Sequence, residues 1–464
     1  MTAEKNISHS SISLDAISHF YFIGIGGIGM SALARYFKQQ GNTVCGYDKT
    51  QTELTSALKN EQIDIHFEDS LNHIPTEFKQ PDSKHILVIY TPALSSNHSQ
   101  LSYFKENNFT VIKRSEALGL ITNQSNGLAV AGTHGKTTTS SILAHILHAS
   151  DYPVSAFLGG IAINFNSNFI HTNGASTTVV EADEFDRSFL TLTPYGAIIT
   201  STDADHLDIY GEEHALIESF KQFSSLVKGP LVVHENSADK FINHSNLKTY
   251  GVNDSCHYQL ISRKTIDGEY VFSIKTTAKT YKNIKFSMPG LHNSLNATAA
   301  VALGIENGFD GDKLTKALSN FKGIKRRFQF ILNSTNHTFI DDYAHHPAEL
   351  NASISASREL FPYKKLTGIF QPHLFSRTRD FMHEFAESLS QLDELILLDI
   401  YPAREEPILG ITSQALLKLV RTKCELLTKN EVLEWVKTNK PELLMTLGAG
   451  DIDKLVEPLK EILS

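Results

Sequence analysis

Cysteine is scarce in this sequence of 464 residues: Cys45, Cys256 and Cys424 stand far apart, with no CxxC pair. That excludes a disulfide framework and a thiolate-bound metal, and it fits a reducing compartment in which these thiols act as small buried apolar groups. Basic charge is in deficit, with a formal net charge of −9, so the positive surface that a nucleic-acid partner demands is missing. Long apolar runs are missing too. No stretch reaches the ~18 residues of a membrane-spanning helix, so no membrane partner is expected. The segment from Met1 to His19 is polar and serine-rich. It lacks the basic opening and apolar core of a signal peptide and reads as a loose tail on a cytoplasmic protein. Internal repeats and low-complexity tracts are absent as well.

What remains is an ordinary globular composition, 41% hydrophobic and 20% charged, in a chain long enough for about three domains. Two stretches follow one plan, an apolar strand, a glycine-rich turn and then a helix. The first is His19-Phe-Tyr-Phe-Ile-Gly24-Ile-Gly26-Gly27-Ile-Gly29-Met30; the second is Gly127-Leu-Ala-Val-Ala131-Gly132-Thr133-His134-Gly135-Lys136-Thr137-Thr138. Each opens a parallel α/β sheet, because crossovers from such strands need helices. A third set of α/β elements begins near Arg327, with strands expected at Thr338–Ile340, Leu366–Phe370, Glu394–Leu398 and Leu443–Thr446. The expected fold is α/β in three domains. They are an N-terminal Rossmann-like domain over 1–122, a central P-loop ATPase-type parallel sheet over 123–326, and a C-terminal Rossmann-like domain over 327–464.

Gly24, Gly26 and Gly29 satisfy G-x-G-x-x-G after a strand, with Asp48 at the end of the next apolar stretch. Such glycines let the backbone approach a pyrophosphate at a helix N-terminus. The motif alone leaves open a dinucleotide, another diphosphate, or a structural tight turn. The second loop is more specific. Its amides suit phosphates, Lys136 suits the β/γ oxygens, and the Thr137 hydroxyl suits Mg²⁺. Glu181 opens the acidic run Glu181-Ala-Asp183-Glu184-Phe-Asp186 after one strand, and His206 lies in Asp203-Ala-Asp205-His206-Leu-Asp208 after the next. Acids crowded this way call for a cation.

Further motifs follow in order: His292-Asn293-Ser-Leu-Asn296, Arg326-Arg327-Phe328, Asp341-Asp342-Tyr343-Ala344-His345-His346-Pro347, Gln371-Pro-His373, Arg377-Thr-Arg379, Asp399-Ile-Tyr-Pro-Ala-Arg404 and Gly448-Ala-Gly450-Asp451. With the two glycine loops and the two acidic clusters, the chain resembles the Mur ligases over almost its whole length. The resemblance implies ATP-dependent coupling of L-alanine to UDP-N-acetylmuramate through an acyl phosphate, a cytoplasmic step of peptidoglycan synthesis, by a monomer or weak dimer. It settles the first glycine loop on UDP, with Gly24, Gly26, Gly27, Gly29, Met30, Asp48 and His134 at the sugar nucleotide. Gly132 to Thr138, His292, Asn293, Asn296, Arg327 and Asp342 fall to ATP, and Thr137, Glu181 and His206 to Mg²⁺. Tyr343, His373 and Arg377 fall to L-alanine, and Lys136, Glu181, His206 and His345 to catalysis.

Some positions depart from the alanine-adding pattern. Phe185 and Ala344 lean towards the sibling that recycles muramyl tripeptide, while Ser201 replaces a common asparagine. Lys221 sits in an amphipathic stretch and reads as a helix-surface lysine, not as the carbamylated lysine of some relatives. A different class, an NAD-dependent oxidoreductase, leaves the Lys136 loop unexplained.

Overall fold

The computed structural model describes residues 12–80, 84–95, 97–185, 187–203, 213–266, 269–403 and 405–464. His206 and Arg404 lie outside the described residues. The chain packs into two compact units, Met1–Ile161 with Phe165–Thr249 and Ala300–Leu314, and Ala162–Asn164 with Tyr250–Ala299 and Thr315–Ser464.

In the first unit, β1 (His19–Ile23), β2 (Thr43–Tyr47), β3 (Asp64–His66), β4 (Ile86–Tyr90) and β5 (Thr110–Lys113) form a parallel sheet in the order β3-β2-β1-β4-β5. Phe20, Tyr21, Phe22 and Ile23 are wholly buried, as expected of a strand covered on both faces. The order reverses between β1 and β4, so the glycine loop after β1 sits at the switch point where such sheets bind ligands.

The same unit holds β6 (Asn126–Ala131), β7 (Val154–Ala162), β8 (Ser167–His171), β9 (Thr177–Glu181), β10 (Gly196–Ile199), β11 (Leu231–His234) and β12 (Leu247–Gly251). Their order is β12-β11-β10-β6-β9-β7-β8. Strand β6 lies between β10 and β9, parallel to both. The two sheets of this unit share a continuous core. Asn168 of β8, fully buried, donates to the Ile28 carbonyl and to Ser31 Oγ, and it accepts from Arg35. Arg35 in turn forks onto Glu61 at 2.7 and 2.8 Å. The helix that follows the glycine loop is thereby fixed to the second sheet.

In the second unit, β13 (Tyr258–Ile266), β14 (Glu269–Thr276) and β15 (Thr280–Phe286) form an antiparallel meander, which the expected parallel layout did not include. Its strands bury one side, with Leu260, Ile274, Ile284 and Phe286 inside, so their apolar signal has period two and is diluted by charge. The third sheet comprises β16 (Gln329–Asn333), β17 (Thr338–Asp342), β18 (Leu366–Phe370), β19 (Glu394–Leu397), β20 (Lys423–Leu426) and β21 (Leu443–Leu447). Its order is β16-β17-β21-β18-β19-β20, with only β16 antiparallel. No helix among the described residues is long and apolar enough to cross a membrane.

Candidate functional site

The first loop is shaped by what glycine permits. Gly24 has φ +86°, and a Cβ there would lie 2.4 Å from Thr91 Cγ2. Its amide donates to the Tyr47 carbonyl at 2.8 Å, and the helix Ile28–Gln39 starts just beyond, with Gly29 and Met30 in its first turn. Asp48 closes this loop: one carboxylate oxygen accepts from the Gly26 amide at 2.8 Å and the other from Thr50 at 3.1 Å. The bare face of Gly29 admits the Arg114 guanidinium, 3.0 Å from where a Cβ would stand. A helix N-terminus and a guanidinium together make an anion-binding pole.

The second loop follows β6. Gly132, at φ +130°, could carry no side chain, since a Cβ would fall 2.1 Å from Thr200 Oγ1. Gly135, left-handed at φ 81°, caps the helix Lys136–Ala149, whose first turn buries Thr137 and Thr138. Two residues just past β10 pin the loop. Thr200 Oγ1 donates to the His134 carbonyl at 2.5 Å. Ser201 Oγ accepts from the His134 amide at 3.1 Å and lies 2.7 Å from Thr133 Oγ1.

Glu181 ends β9 on the other side of the loop strand. A Cβ on Gly159 of β7 would stand 2.2 Å from Glu181 Oε2, so the glycine makes space for that carboxylate. Lys136 Nζ donates to Glu184 Oε1 at 2.7 Å, with the carboxylate fully buried. Burial would lower the lysine pKa, but Glu184, Asp183 and Glu181 outweigh it and hold the ammonium firmly charged. A small cleft, with room for no more than about one water, is lined by Arg114, Glu181, Asp183, Ser188 and Phe189. Among the described residues no three His, Cys, Asp or Glu side chains converge on a metal position, and the expected ligand His206 is not among them. The donors that are described, the Thr137 hydroxyl and the Glu181 carboxylate, are hard oxygens of the kind Mg²⁺ takes, so the set fits that ion. Lys221 pairs with Glu218 at 2.8 Å on an exposed helix face.

In the second unit the expected residues gather along the carboxyl edge of the third sheet. Asp342 ends β17; it accepts from Ser353 Oγ at 2.6 Å and from the Ala344 amide at 3.2 Å. Burial pushes its carboxyl up to about 6. Arg326 and Phe328 take left-handed backbone, at φ 61° and 47°, and the turn between them sets both arginines against Tyr343. The Arg326 and Arg327 guanidinium carbons lie 5.1 and 4.9 Å from that ring's centroid. His345 Nδ1 is 2.9 Å from the Tyr343 carbonyl and 3.1 Å from Glu349. Its ring meets His373 edge-on at 6.0 Å, and His373 stacks on Tyr401 at 5.7 Å. Burial, with His345 and Arg377 adding to it, pulls His373 down to about 4. Arg377 starts from a strained turn in which Leu374 has φ 71°, and Glu405 accepts from the Ser376 amide at 2.9 Å. At the start of the helix Leu291–Glu306, Asn293 bonds the Pro289 carbonyl at 2.7 Å and Asn296 bonds Asn293 at 3.4 Å. Burial pulls neighbouring His292 down to about 4.

The sequence assigns no role to Arg114, Gly159, Thr200 or Glu349, names Glu184 only as one of a crowded acidic run, and shows Ser201 only as a departure. A glycine inside a strand does signal close approach by a neighbour, and Gly159 carried that signal.

Comparison with known proteins identifies the family. Three family models match in sequence order: the Mur ligase family catalytic domain over 19–126, the Mur ligase middle domain over 130–304, and the Mur ligase glutamate ligase domain over 326–450. The chain is 50% identical over 453 residues to the UDP-N-acetylmuramate–L-alanine ligase of Christiangramia forsetii, covering 97% of this chain and 98% of that one. It is 50% identical to the enzyme of the same name from Flavobacterium johnsoniae, covering 98% and 99%. Among solved structures, UDP-N-acetylmuramate-alanine ligase from Thermotoga maritima superposes with a TM-score of 0.80 at 29% identity, covering 96% and 98%. Matched over most of residues 19–450 by the successive parts of one family, the chain belongs to the Mur ligases.

Proposed function

We propose that this chain joins L-alanine to UDP-N-acetylmuramate at the expense of ATP, releasing ADP and phosphate. One observation carries the reading: a lysine-bearing phosphate loop, flanked by Glu181 and by Thr200 and Ser201, in a chain half identical to ligases of that name.

Under this reading residues 1–122 hold the UDP sugar, 123–326 the nucleotide, and 327–464 the amino acid. The muramyl carboxylate attacks the γ-phosphorus, ADP leaves, and an acyl phosphate forms. Both partners are anions, so the step requires compensating positive charge. Lys136 and the amides of Gly132 to Thr138 supply it for the phosphates, and Arg327 and Asp342 add ATP contacts. Thr137, Glu181 and His206 would hold Mg²⁺, which supplies further charge neutralisation when bound. His292, Asn293 and Asn296 take the adenine. Gly24, Gly26, Gly27, Gly29 and Met30, braced by Asp48, take the pyrophosphate, with His134 towards the muramyl group.

The alanine carboxylate suits the Arg377 guanidinium, beside Tyr343 and His373. Its amine attacks the acyl carbonyl, and phosphate departs with one oxygen of the former carboxylate. A histidine can take the amine proton; His345 and His373, whose rings meet edge-on at 6.0 Å, stand where the amino acid would bind. Free cysteines support a cytoplasmic setting, and a monomer or weak dimer suffices for this chemistry. The test is phosphate release from ATP and Mg²⁺ with UDP-N-acetylmuramate and, in parallel, L-alanine, glycine, L-serine or the muramyl tripeptide's peptide. Release with L-alanine that disappears in Lys136→Ala supports the reading. Release with the tripeptide alone favours the recycling sibling, towards which Phe185 and Ala344 lean.

A further inference from the structure

We infer that Glu184 is a positioning residue that keeps hold of Lys136 during turnover and aims the rest of its ammonium at the triphosphate. The inference rests on the ligase reading above. Lys136 is the first residue of its helix, on a four-carbon stem that is free to swing unless something fixes its tip. Glu184 fixes it: the ion pair is 2.7 Å long, with the lysine side chain 12% exposed and the glutamate 0% exposed.

Glu184 itself has little freedom to follow a moving partner. Its carbonyl accepts from the Arg187 amide at 2.9 Å, and the Asp183 carbonyl accepts from the Phe189 amide at 3.0 Å. Ser188 Oγ bonds the same Asp183 carbonyl at 3.0 Å. Phe189 is 1% exposed and stacks on Phe223 at 5.0 Å, so the turn that carries Glu184 is nailed to the core.

An ammonium has three N–H donors and no acceptor. Glu184 takes one, which leaves two for phosphate oxygens. Were Lys136 to abandon Glu184 for the nucleotide, a 2.7 Å ion pair would break in a place without solvent, and breaking one side of a buried pair is strongly unfavourable. Sharing is the favoured arrangement. It also gives the lysine one direction of approach, which matters most when charge develops on the transferring phosphoryl group.

The test is steady-state phosphate release by Glu184→Gln and Glu184→Asp with ATP titrated, alongside thermal melting. Losing the fixed direction should lower kcat by about tenfold or more while KM for ATP stays level or falls, the pattern of an interaction made in the transition state. Glu184→Gln should melt below the unaltered protein, because it leaves the Lys136 ammonium buried beside an uncharged amide, and Glu184→Asp, which keeps the charge, should recover part of kcat and of the melting temperature. Turnover by Glu184→Gln within about twofold of the unaltered protein would overturn the inference. So would a rise in KM for ATP with kcat unchanged, the signature of a contact that serves ground-state binding alone. If Glu184→Gln does not fold, the same kcat and KM criteria apply to Glu184→Asp. No release from the unaltered protein would sink the ligase reading itself, whereas normal release from both proteins would sink only the role of Glu184.

Discussion

Gly159 and Glu181 occupy one space: a Cβ built on Gly159 of β7 would stand 2.2 Å from the carboxylate that ends β9. The obstacle is the tip of a flexible side chain, so Gly159→Ala should fold with nearly the parental melting temperature while displacing that carboxylate. If Glu181 serves the cation, the Mg²⁺ concentration for half-maximal phosphate release should rise about tenfold, the usual consequence of disturbing a ligand's support. An unchanged Mg²⁺ titration would remove Glu181 from that role.

Ser201 holds the phosphate loop through Thr133 Oγ1 at 2.7 Å and the His134 amide at 3.1 Å. Ser201→Ala removes both contacts, each worth about 1 kcal/mol. KM for ATP should rise several-fold and KM for L-alanine should not move. Ser201→Asn, which keeps an acceptor and adds donors, should fall between the two. Isothermal titration with a non-hydrolysable ATP analogue checks the binding term directly.

The Tyr343 ring lies against two guanidinium groups, at 5.1 and 4.9 Å. Its face, not its hydroxyl, makes those contacts, each worth about 0.5–1 kcal/mol. Tyr343→Phe should therefore retain most activity, and Tyr343→Leu should raise KM for both ATP and L-alanine. Equal damage from the two variants would mean that the hydroxyl matters.

Stability should depend on pH in a defined direction. His292 and His373 are drawn from 6.5 to about 4, mainly by burial. Between those values the unfolded chain binds more protons than the native one, so their contribution rises with pH across that window and is lost as pH falls. Asp342 runs the other way: burial raises it from 3.8 to about 6, so the native carboxyl holds the extra proton and stability drops as pH climbs through that range. Burial also lowers His66, His98, His171 and His234 and raises Asp341, so the histidines outweigh the aspartates. The melting temperature should increase from about pH 4 to 6.5, and a His292→Gln, His373→Gln double variant should show a shallower slope. A double variant with the parental slope would contradict the assignment.

The parts of this protein visible in its sequence are those built from consecutive residues. Gly24 to Met30 and Gly132 to Thr138 each carry strand, loop and helix start in one run, so local chemistry fixes them before any long-range packing. The strands bearing Glu181 and Asp342 were visible for the same reason, as continuous apolar runs ending in charge. What Ser201 and Gly159 do was hidden, because each meets its partner only when β6, β9, β10 and β7 line up. Glu184 stood in plain view in an acidic run, yet nothing local says which carboxylate turns inward to Lys136. The meander β13 to β15 escaped because half of each strand is solvated. The glycine loop shows the converse limit: position in the sequence points Asp48 at a ligand, whereas in the fold its carboxylate accepts from the Gly26 amide and closes the loop.

The account turns on ATP activating a carboxylate at the Lys136 loop, and oxygen tracing tests that most directly. UDP-N-acetylmuramate labelled with ¹⁸O in its carboxylate, turned over with ATP and L-alanine, should yield phosphate carrying one ¹⁸O, read by mass spectrometry. That label should appear only with functional Lys136 and not with Lys136→Ala. Amide product accompanied by unlabelled phosphate would contradict the account.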